Sequence, residues 1–532
     1  MTKTLHLLLI ASFLLTACVP SLTPITIDSA QPSIASANSA ETTDLASPIA
    51  VATESVFSAT PPAKQGTPAN QSTGQTKKPK KSSSSASEAT ALTLDSLNIV
   101  LGSVTDRSIL ISLYSPSSGQ ALIAYGTDPA NLANLTKPIL LLVLVPQVIE
   151  LTDLQPNTAY FYQVQVNGVP GETHSFHTQR AAGASFTFTI EADPHFQDPR
   201  FDGGVYAHSL ANALANQPDL HINLGDTFMT EKGQPKTKED VTQTISGMRP
   251  YFGVLAADTP LFLVNGNHEA ELGWLTNSPQ KDIALWSVAA RQQYYPNPQP
   301  GSFYTGSGSI DPLLAAKRDG YYAFTWGDAL FVILDPFWYT TKKPQANDPQ
   351  SNWNWTLGEE QYNWLSGTLQ ASEARYKFVF IHHLVGGAAD ARGGVEFANL
   401  YEWGGQNADG TSGFAEHRPG WQMPIHDLLV QNQVSAVFHG HDHVYIQQEL
   451  DGVVYQEVPQ PSIAENGKGS LASEYGYLSG KSAGGAGILM VTISPETALV
   501  QYLLTEPTTG YGSGQPAPKV AAQYNIQSAL IK

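Results

Sequence analysis

From about Ala184 onward, short apolar runs recur along the chain and each closes on polar residues. FTFTIEADPHF, LHINLGDTF, PLFLVNGNHE, ALFVILD, YKFVFIHH and SAVFHGHDH all have this form. Runs this short, rich in β-branched and aromatic residues, predict buried strands. Helical stretches such as EEQYNWLSGTLQASE and QMPIHDLLVQNQ fall between several of them. Strands alternating with helices predict an α/β domain, whose sites lie beyond the carboxyl ends of the strands. Residues 386–420, rich in Gly, Asn and Asp and poor in periodicity, read as a loop that shapes such a site.

The preceding stretch has a different rhythm. LNIVLG, ILISLYS, ALIAYG, AYFYQVQVNG and THSFHT are separated by turn residues, the pattern of a small antiparallel β-sandwich. ILLLVLV (Ile139 to Val145), closed by prolines and too short to cross a membrane, reads as a buried strand. His174 and His177 alternate there without a carboxylate or cysteine cluster and read as ordinary strand residues.

Composition changes the picture at the N-terminus. Lys3, an apolar run and small residues before Cys18 make a secretory signal rather than a structural helix. Leu15 to Cys18 (LTAC) resembles the bacterial lipobox, and Cys18 is the only cysteine, so it is the expected lipidation site. The chain then runs through Ser, Thr, Ala, Pro and Gln with almost no aromatic residues, which predicts a disordered tether. Lys77 to Lys81 (KKPKK) reads as a solvated charge run in it. The expected organisation is a signal peptide over 1–17, the tether over 18–93, the sandwich over 94–180, the α/β domain over 181–510 and a C-terminal tail over 511–532. A formal charge of −18 argues against a nucleic-acid scaffold and against electrostatic docking on anionic lipid, leaving a lipid anchor as the expected membrane link.

The polar residues at the strand ends are, in chain order, Asp193 and His195, Asp226, Asn267 and His268, His382 or His383, and His441 and His443. Since each closes an apolar strand, all can converge on one sheet edge. Two carboxylates, an amide oxygen and several imidazoles suit Zn, Fe or Mn rather than Ca or a thiolate-seeking ion. About seven ligands suffice for two ions that share one, roughly 3.5–4 Å apart.

The ordered series D-x-H, G-D, G-N-H-E, H and G-H-x-H resembles the calcineurin-like metallophosphoesterase superfamily. Leu151 to Val164 resembles the tyrosine corner of fibronectin type III domains, in which Tyr160 bonds back to the chain. With such a domain in front, the chain most resembles the purple acid phosphatase branch, over about Leu94 to Thr508. One block alone would be weak evidence, whereas five in order are specific.

The resemblance implies a four-layer α/β/β/α catalytic domain behind a fibronectin-like sandwich. It implies that Asp193, His195 and His443 hold one metal, that Asp226 bridges, and that Asn267, His382 and His441 hold the other. His268 would face the substrate and stabilise or protonate the leaving-group oxygen, so His268 and Asp226 are the expected catalytic residues. Two adjacent cations would acidify a bound water and supply the positive centre that an acidic chain lacks. Glu269 is the nearest carboxylate in sequence to support His268. His439 has no place in the family pattern and reads as packing or as support for the ligands.

Two departures matter. Where purple acid phosphatases carry the iron-binding tyrosine, this chain has Met229, so an Fe(III)-tyrosinate centre is not expected. The fourth block reads His382-His383-Leu384 instead of H-x-P, and the spacing favours His382. Arg200, Arg392, His417 and Arg418 either contact phosphate or serve the surface, Trp353, Trp355 and Trp364 read as packing, and Asp335 has no metal role in the pattern.

The implied activity is hydrolysis of small-molecule phosphate esters, monoesters first, by a lipid-anchored enzyme outside the cytoplasmic membrane. Phosphodiesterase or nucleotidase activity is the enzymatic alternative, and an envelope binding or adhesion lipoprotein the non-enzymatic one.

Overall fold

The computed structural model of the chain describes residues 96–232, 236–387, 389–464, 470–506 and 518–528. The signal segment with Cys18, the tether and the Lys77–Lys81 cluster lie outside the described residues.

The first strands form an antiparallel sandwich. One sheet is β1 (Asn98–Gly102), β2 (Ile109–Tyr114) and β6 (Gln147–Leu151). The other runs β4 (Asn134–Leu135), β3 (Gly119–Gly126), β7 (Ala159–Val166) and β8 (Val169–His177), with β5 (Ile139–Leu141) also on β3. Alternate residues of β2, Ile109, Ile111 and Leu113, meet Ile123, Tyr162 and Phe176 of the opposing sheet in the core. The Tyr160 hydroxyl accepts the Gln155 backbone N–H at 2.8 Å. The expectation for Ile139 to Val145 is corrected. Only Ile139–Leu141 is strand, and Leu140, Leu142, Val143 and Leu144 are 62, 43, 53 and 48% exposed. The segment spends its length crossing from one sheet to the other, so Leu141 is buried in the core, Ile139 packs partly against it, and Leu142 to Val145 stay exposed.

The α/β part holds two sheets. The first has the order β11-β10-β9-β22-β23-β24, from β9 (Phe186–Glu191), β10 (Leu220–Asn223), β11 (Leu261–Leu263), β22 (Gly487–Ile493), β23 (Thr497–Leu504) and β24 (Lys519–Gln527). The second runs β12 (Thr305–Gly306), β15 (Tyr322–Trp326), β16 (Ala329–Ile333), β17 (Tyr376–Phe380), β18 (Ala436–His439), β20 (Val453–Glu457), β19 (Tyr445–Leu450) and β21 (Lys481–Ala483). A hairpin of β13 (Ile310–Asp311) and β14 (Ala316–Lys317) lies between β12 and β15 in the chain. The first sheet thus continues past residue 510, because Lys519–Gln527 pairs along β23 as its edge strand.

Period-two alternation assembles the layers. Phe331 and Ile333 of β16, Phe378 and Phe380 of β17 and Phe438 of β18 meet Phe188 and Ile190 of β9 between the sheets. The intervening Leu330, Val332, Val379 and Val437 face outward and pack with Tyr362, Leu365 and Leu369 of the helix Gly358–Ala371 and with Leu428 of Ile425–Gln431. Helices Gly203–Leu214 and Lys238–Gly247 join the outer core of the first sheet. The result is an α/β/β/α domain.

The sandwich is bolted to this domain by buried polar contacts. Arg249 donates to Asn98 Oδ1 at 2.8 Å, to Ser112 Oγ and O at 3.0 Å each, and to the Tyr294 carbonyl. Burial lowers its pKa to about 10, so it stays charged at neutral pH. His174 bonds Asp258 at 2.9 Å, which gives this histidine a cross-domain contact. Replacing Arg249 with Met strands these acceptors. We expect it to lower the unfolding free energy by about 2–4 kcal/mol, read as a reduced denaturant midpoint. An unchanged midpoint would mean that this contact contributes nothing to stability.

Candidate metal centre

Strands β9, β10, β11, β17 and β18 end on the same edge, and the polar residues follow within a few positions of each end. Reaching inward from there requires tight turns. Asp193, His195, Asp226, His441 and His443 all take left-handed backbone conformations, with φ of 57°, 55°, 52°, 81° and 65°. Such strain costs roughly 1–3 kcal/mol per residue and concentrates at functional sites. Gly225 and Gly266 let two strand ends touch: a Cβ on Gly225 would lie 2.3 Å from the Gly266 nitrogen.

The side chains converge. His195 Nε2 and His443 Nε2 each lie 3.6 Å from Asp193 Oδ1. His195, His268 and His382 place Nε2 at 3.4, 3.6 and 3.3 Å from Asp226 Oδ2. His441 Nδ1 lies 3.3 Å from His382 Nε2. Three overlapping groups have the spacing of a metal site: Asp193, His195 and His443; His195, Asp226 and His268; and Asp226, His382 and His441. Asn267 Oδ1, Asp193 Oδ1 and His195 Nε2 are buried without a hydrogen-bond partner. Unpartnered buried polar atoms are costly, and a cation among them removes that cost, so the donor set fits metal ions.

Outer contacts aim the rings. His382 Nδ1 faces the Leu224 carbonyl at 2.9 Å, and His441 Nε2 faces the Asp390 carbonyl at 2.8 Å, which leaves the other nitrogen of each for the centre. Asp193 Oδ2 accepts the His441 backbone N–H, and Asp226 Oδ1 that of His268. His383 points elsewhere. Its Nδ1 bonds the Leu384 carbonyl, and the ring packs against Trp355 with centroids 4.5 Å apart.

Burial opposes charge on Asp226, yet the His268 and His382 imidazoles hold it well below the usual carboxylate range. His195 is buried, but Asp193 and Asp226 raise it to about 10, and Asp226 likewise raises buried His382 to about 9. Burial lowers His443 to about 3 and His441 well below its usual value.

Support for His268 comes from Glu231, whose carboxylate bonds His268 Nδ1, and not from Glu269. Glu269 instead accepts the backbone N–H groups of Asp226, Thr227, Phe228 and Gly266, which knits the two strand ends together. Glu231 sits after a break in the apolar pattern, and only the fold brings it to His268. His439 Nδ1 lies 2.7 Å from Glu457 Oε2, and Glu457 Oε1 accepts the Asp442 N–H, so His439 sits behind the loop, outside the donor cluster.

A cavity of about 610 Å³ opens beside the centre, reaching Asn267, His268 and His441. Leu272, Trp274 and Trp355 give it an apolar wall, with Lys232, Lys343 and Arg392 around it. Trp355 therefore lines the cavity as well as packing in the core. Arg392 is held by Asp442 at 2.8 Å, whereas Arg418 is tied to Glu402 and His417 stacks on Trp353. Arg200 pairs locally with Asp198, and Asp335 pairs with Arg318.

Glu269→Ala removes the acceptor of four buried N–H groups and is expected to lower the unfolding free energy by about 3–5 kcal/mol. Glu231, 26% exposed, should change it by less than about 1 kcal/mol on replacement by Ala. Equal losses in denaturant titrations would make the Glu231–His268 pair part of the structural framework.

Residues 186–445 match the family model of the calcineurin-like phosphoesterases. No curated protein sequence is significantly similar to the chain. Among solved structures, PhoD is similar with a TM-score of 0.57 and 17% identity, over 84% of this chain and 92% of that one. The purple acid phosphatase PPD1 from yellow lupin (Lupinus luteus) seeds is similar with a TM-score of 0.51 and 13% identity, over 81% and 74%. Over residues 186–445 the strand order and layering agree with the match to the calcineurin-like phosphoesterase family model.

Proposed function

We propose that the protein hydrolyses phosphate esters, phosphomonoesters foremost, at a two-metal centre. The observation that carries this reading is a pair of three-residue donor groups, Asp193–His195–His443 and Asp226–His382–His441, with His195 Nε2 between Asp193 and Asp226. In this reading Asp193, His195 and His443 hold one ion, Asn267, His382 and His441 the other, and Asp226 serves both. Ions held there would supply positive charge for the phosphoryl oxygens and an acidified water near neutral pH.

The chain's own residues would do the rest. His268 would present Nε2 to the leaving-group oxygen, with Glu231 fixing the ring through Nδ1. The alcohol of the ester would extend into the cavity along Trp274 and Trp355, with its polar parts near Lys232, Lys343 and Arg392. We further read β1–β8 as a fibronectin type III-like module, supported by the Tyr160 contact, and the chain as lipid-anchored at Cys18 outside the cytoplasmic membrane.

A paired measurement tests this: metal content by elemental analysis, with turnover of a chromogenic phosphomonoester and of its diester. Two metals per chain with faster monoester turnover is the expected result, and diester turnover alone would reassign the substrate class. Asp226→Asn and Asn267→Ala should each lower turnover at least about 100-fold, with circular dichroism unchanged. Undiminished turnover in both variants would sink the ligand assignment.

The colour of the centre gives a second test. Met229 is buried and lines the space beside His195, Asp226 and His443. A thioether is a poor ligand for ferric iron, so iron-loaded protein should lack a tyrosinate charge-transfer band. Met229→Tyr should introduce one. A visible band in the unsubstituted protein would refute the reading of Met229.

A further inference from the structure

The sandwich carries a feature that phosphoester hydrolysis does not use. Between Leu141 at the end of β5 and Gln147 at the start of β6, the chain makes a tight turn whose tip is Leu142, Val143, Leu144 and Val145. These side chains are 43, 53, 48 and 36% exposed, Leu140 beside them 62%. No charged residue occurs between Lys137 and Glu150. Surface turns normally carry Gly, Asn, Asp or Ser, so four consecutive aliphatic residues at a tip call for an apolar partner.

The turn is held in shape. Leu144 donates its N–H to the Ser115 carbonyl at 2.8 Å, and Val143 bridges Ser115. Leu144 takes a left-handed conformation with φ of 53°, which leucine rarely adopts. Pro138 and Pro146 close the segment on either side. The apolar tip is thus a built projection.

Its composition and position identify the occupant. Protein interfaces favour aromatic residues, Met and Arg, and the tip has none. A bilayer asks only for aliphatic surface, and the absence of charge suits its acyl boundary. The chain also enters the sandwich close by. Asn98, the first residue of β1, pairs with Tyr114 at the end of β2, and the next residue, Ser115, carries the turn. The chain that follows the lipobox-like Cys18 therefore joins the sandwich at Asn98, 80 positions later, at the end from which the tip projects. No helix among the described residues is long and apolar enough to cross a membrane, so a contact here is insertion of side chains, not a span.

We propose that the Leu142–Val145 turn inserts into the surface of a lipid bilayer and holds the sandwich against it. The proposal draws on the lipid-anchor reading for where the membrane lies, and it is independent of the chemistry at the metal centre.

The test uses the full chain in a Cys18→Ser background, which frees the chain of its only cysteine and of acylation. An environment-sensitive fluorophore is attached at Val143→Cys, or at Asp409→Cys as an exposed control, and phosphatidylcholine vesicles are added. A blue shift at position 143, quenched by lipid-borne quenchers and absent at position 409, is the expected result. An unchanged spectrum at position 143 overturns the proposal. So does a shift that grows with protein concentration without vesicles, which would assign the turn to a second copy of the chain. Replacing Leu142 with Asp and Leu144 with Asn, a residue that tolerates the left-handed conformation, should cut the vesicle-bound fraction about tenfold or more. Circular dichroism and phosphoester turnover should stay unchanged. Undiminished binding in that variant would also count against insertion.

Discussion

Two buried carboxylates, Asp193 and Asp226, share a small volume with the imidazoles of His195, His382, His441 and His443, and the surrounding structure exists to make that concentration tolerable. Packed side by side without a countercharge, the carboxylates would repel each other in a medium that screens poorly. The carboxylates raise the proton affinity of His195 and His382, while burial lowers that of His441 and His443. Carbonyls of Leu224 and Asp390 then set which ring nitrogen faces inward. The geometry of the cluster is thus set by the outer contacts as much as by the donors themselves.

Such a cluster cannot be reached from straight strands. The donors follow strands that end on one edge, yet their side chains must fold back toward a common point. The left-handed turns at Asp193, His195, Asp226, His441 and His443 do this. Aspartate tolerates that conformation better than most residues, and histidine is also enriched there. The strain is held by neighbours that leave the backbone no alternative: Glu269 binds the amides after Gly225 and at Gly266, and the His441 N–H is bound by Asp193 itself. Function and strain coincide because one geometry requires both.

Much of this was legible from residues alone, for a specific reason. Strand alternation in β9, β16, β17 and β18 sorts side chains between two cores, and polar residues at strand ends mark an edge. Both are local patterns that survive without a structure. What escaped was long-range or came down to geometry. Glu231 lies 37 positions before His268, and nothing local pairs them, whereas adjacent Glu269 turns back to the amides. Ile139 to Val145 has the apolar content of a buried strand, and only the topology shows that it crosses between sheets at an end where most of it cannot be covered. Hydrophobicity reports that a segment can be buried, while the path of the chain decides whether it is.

The same division separates reaction class from substrate. Donors come from strand ends, which the sheets position whatever loops surround them. The cavity wall comes from Leu272, Trp274, Lys343, Trp355 and Arg392, which lie on short helices and irregular connections outside the sheets. These segments pack on the centre at few points, Arg392 through Asp442 and His441 among them. Exchanging them would alter which alcohol fits while leaving the donor geometry in place. A centre built this way separates the donors, fixed by the sheets, from the cavity wall, here formed by the tryptophans and the surrounding cations.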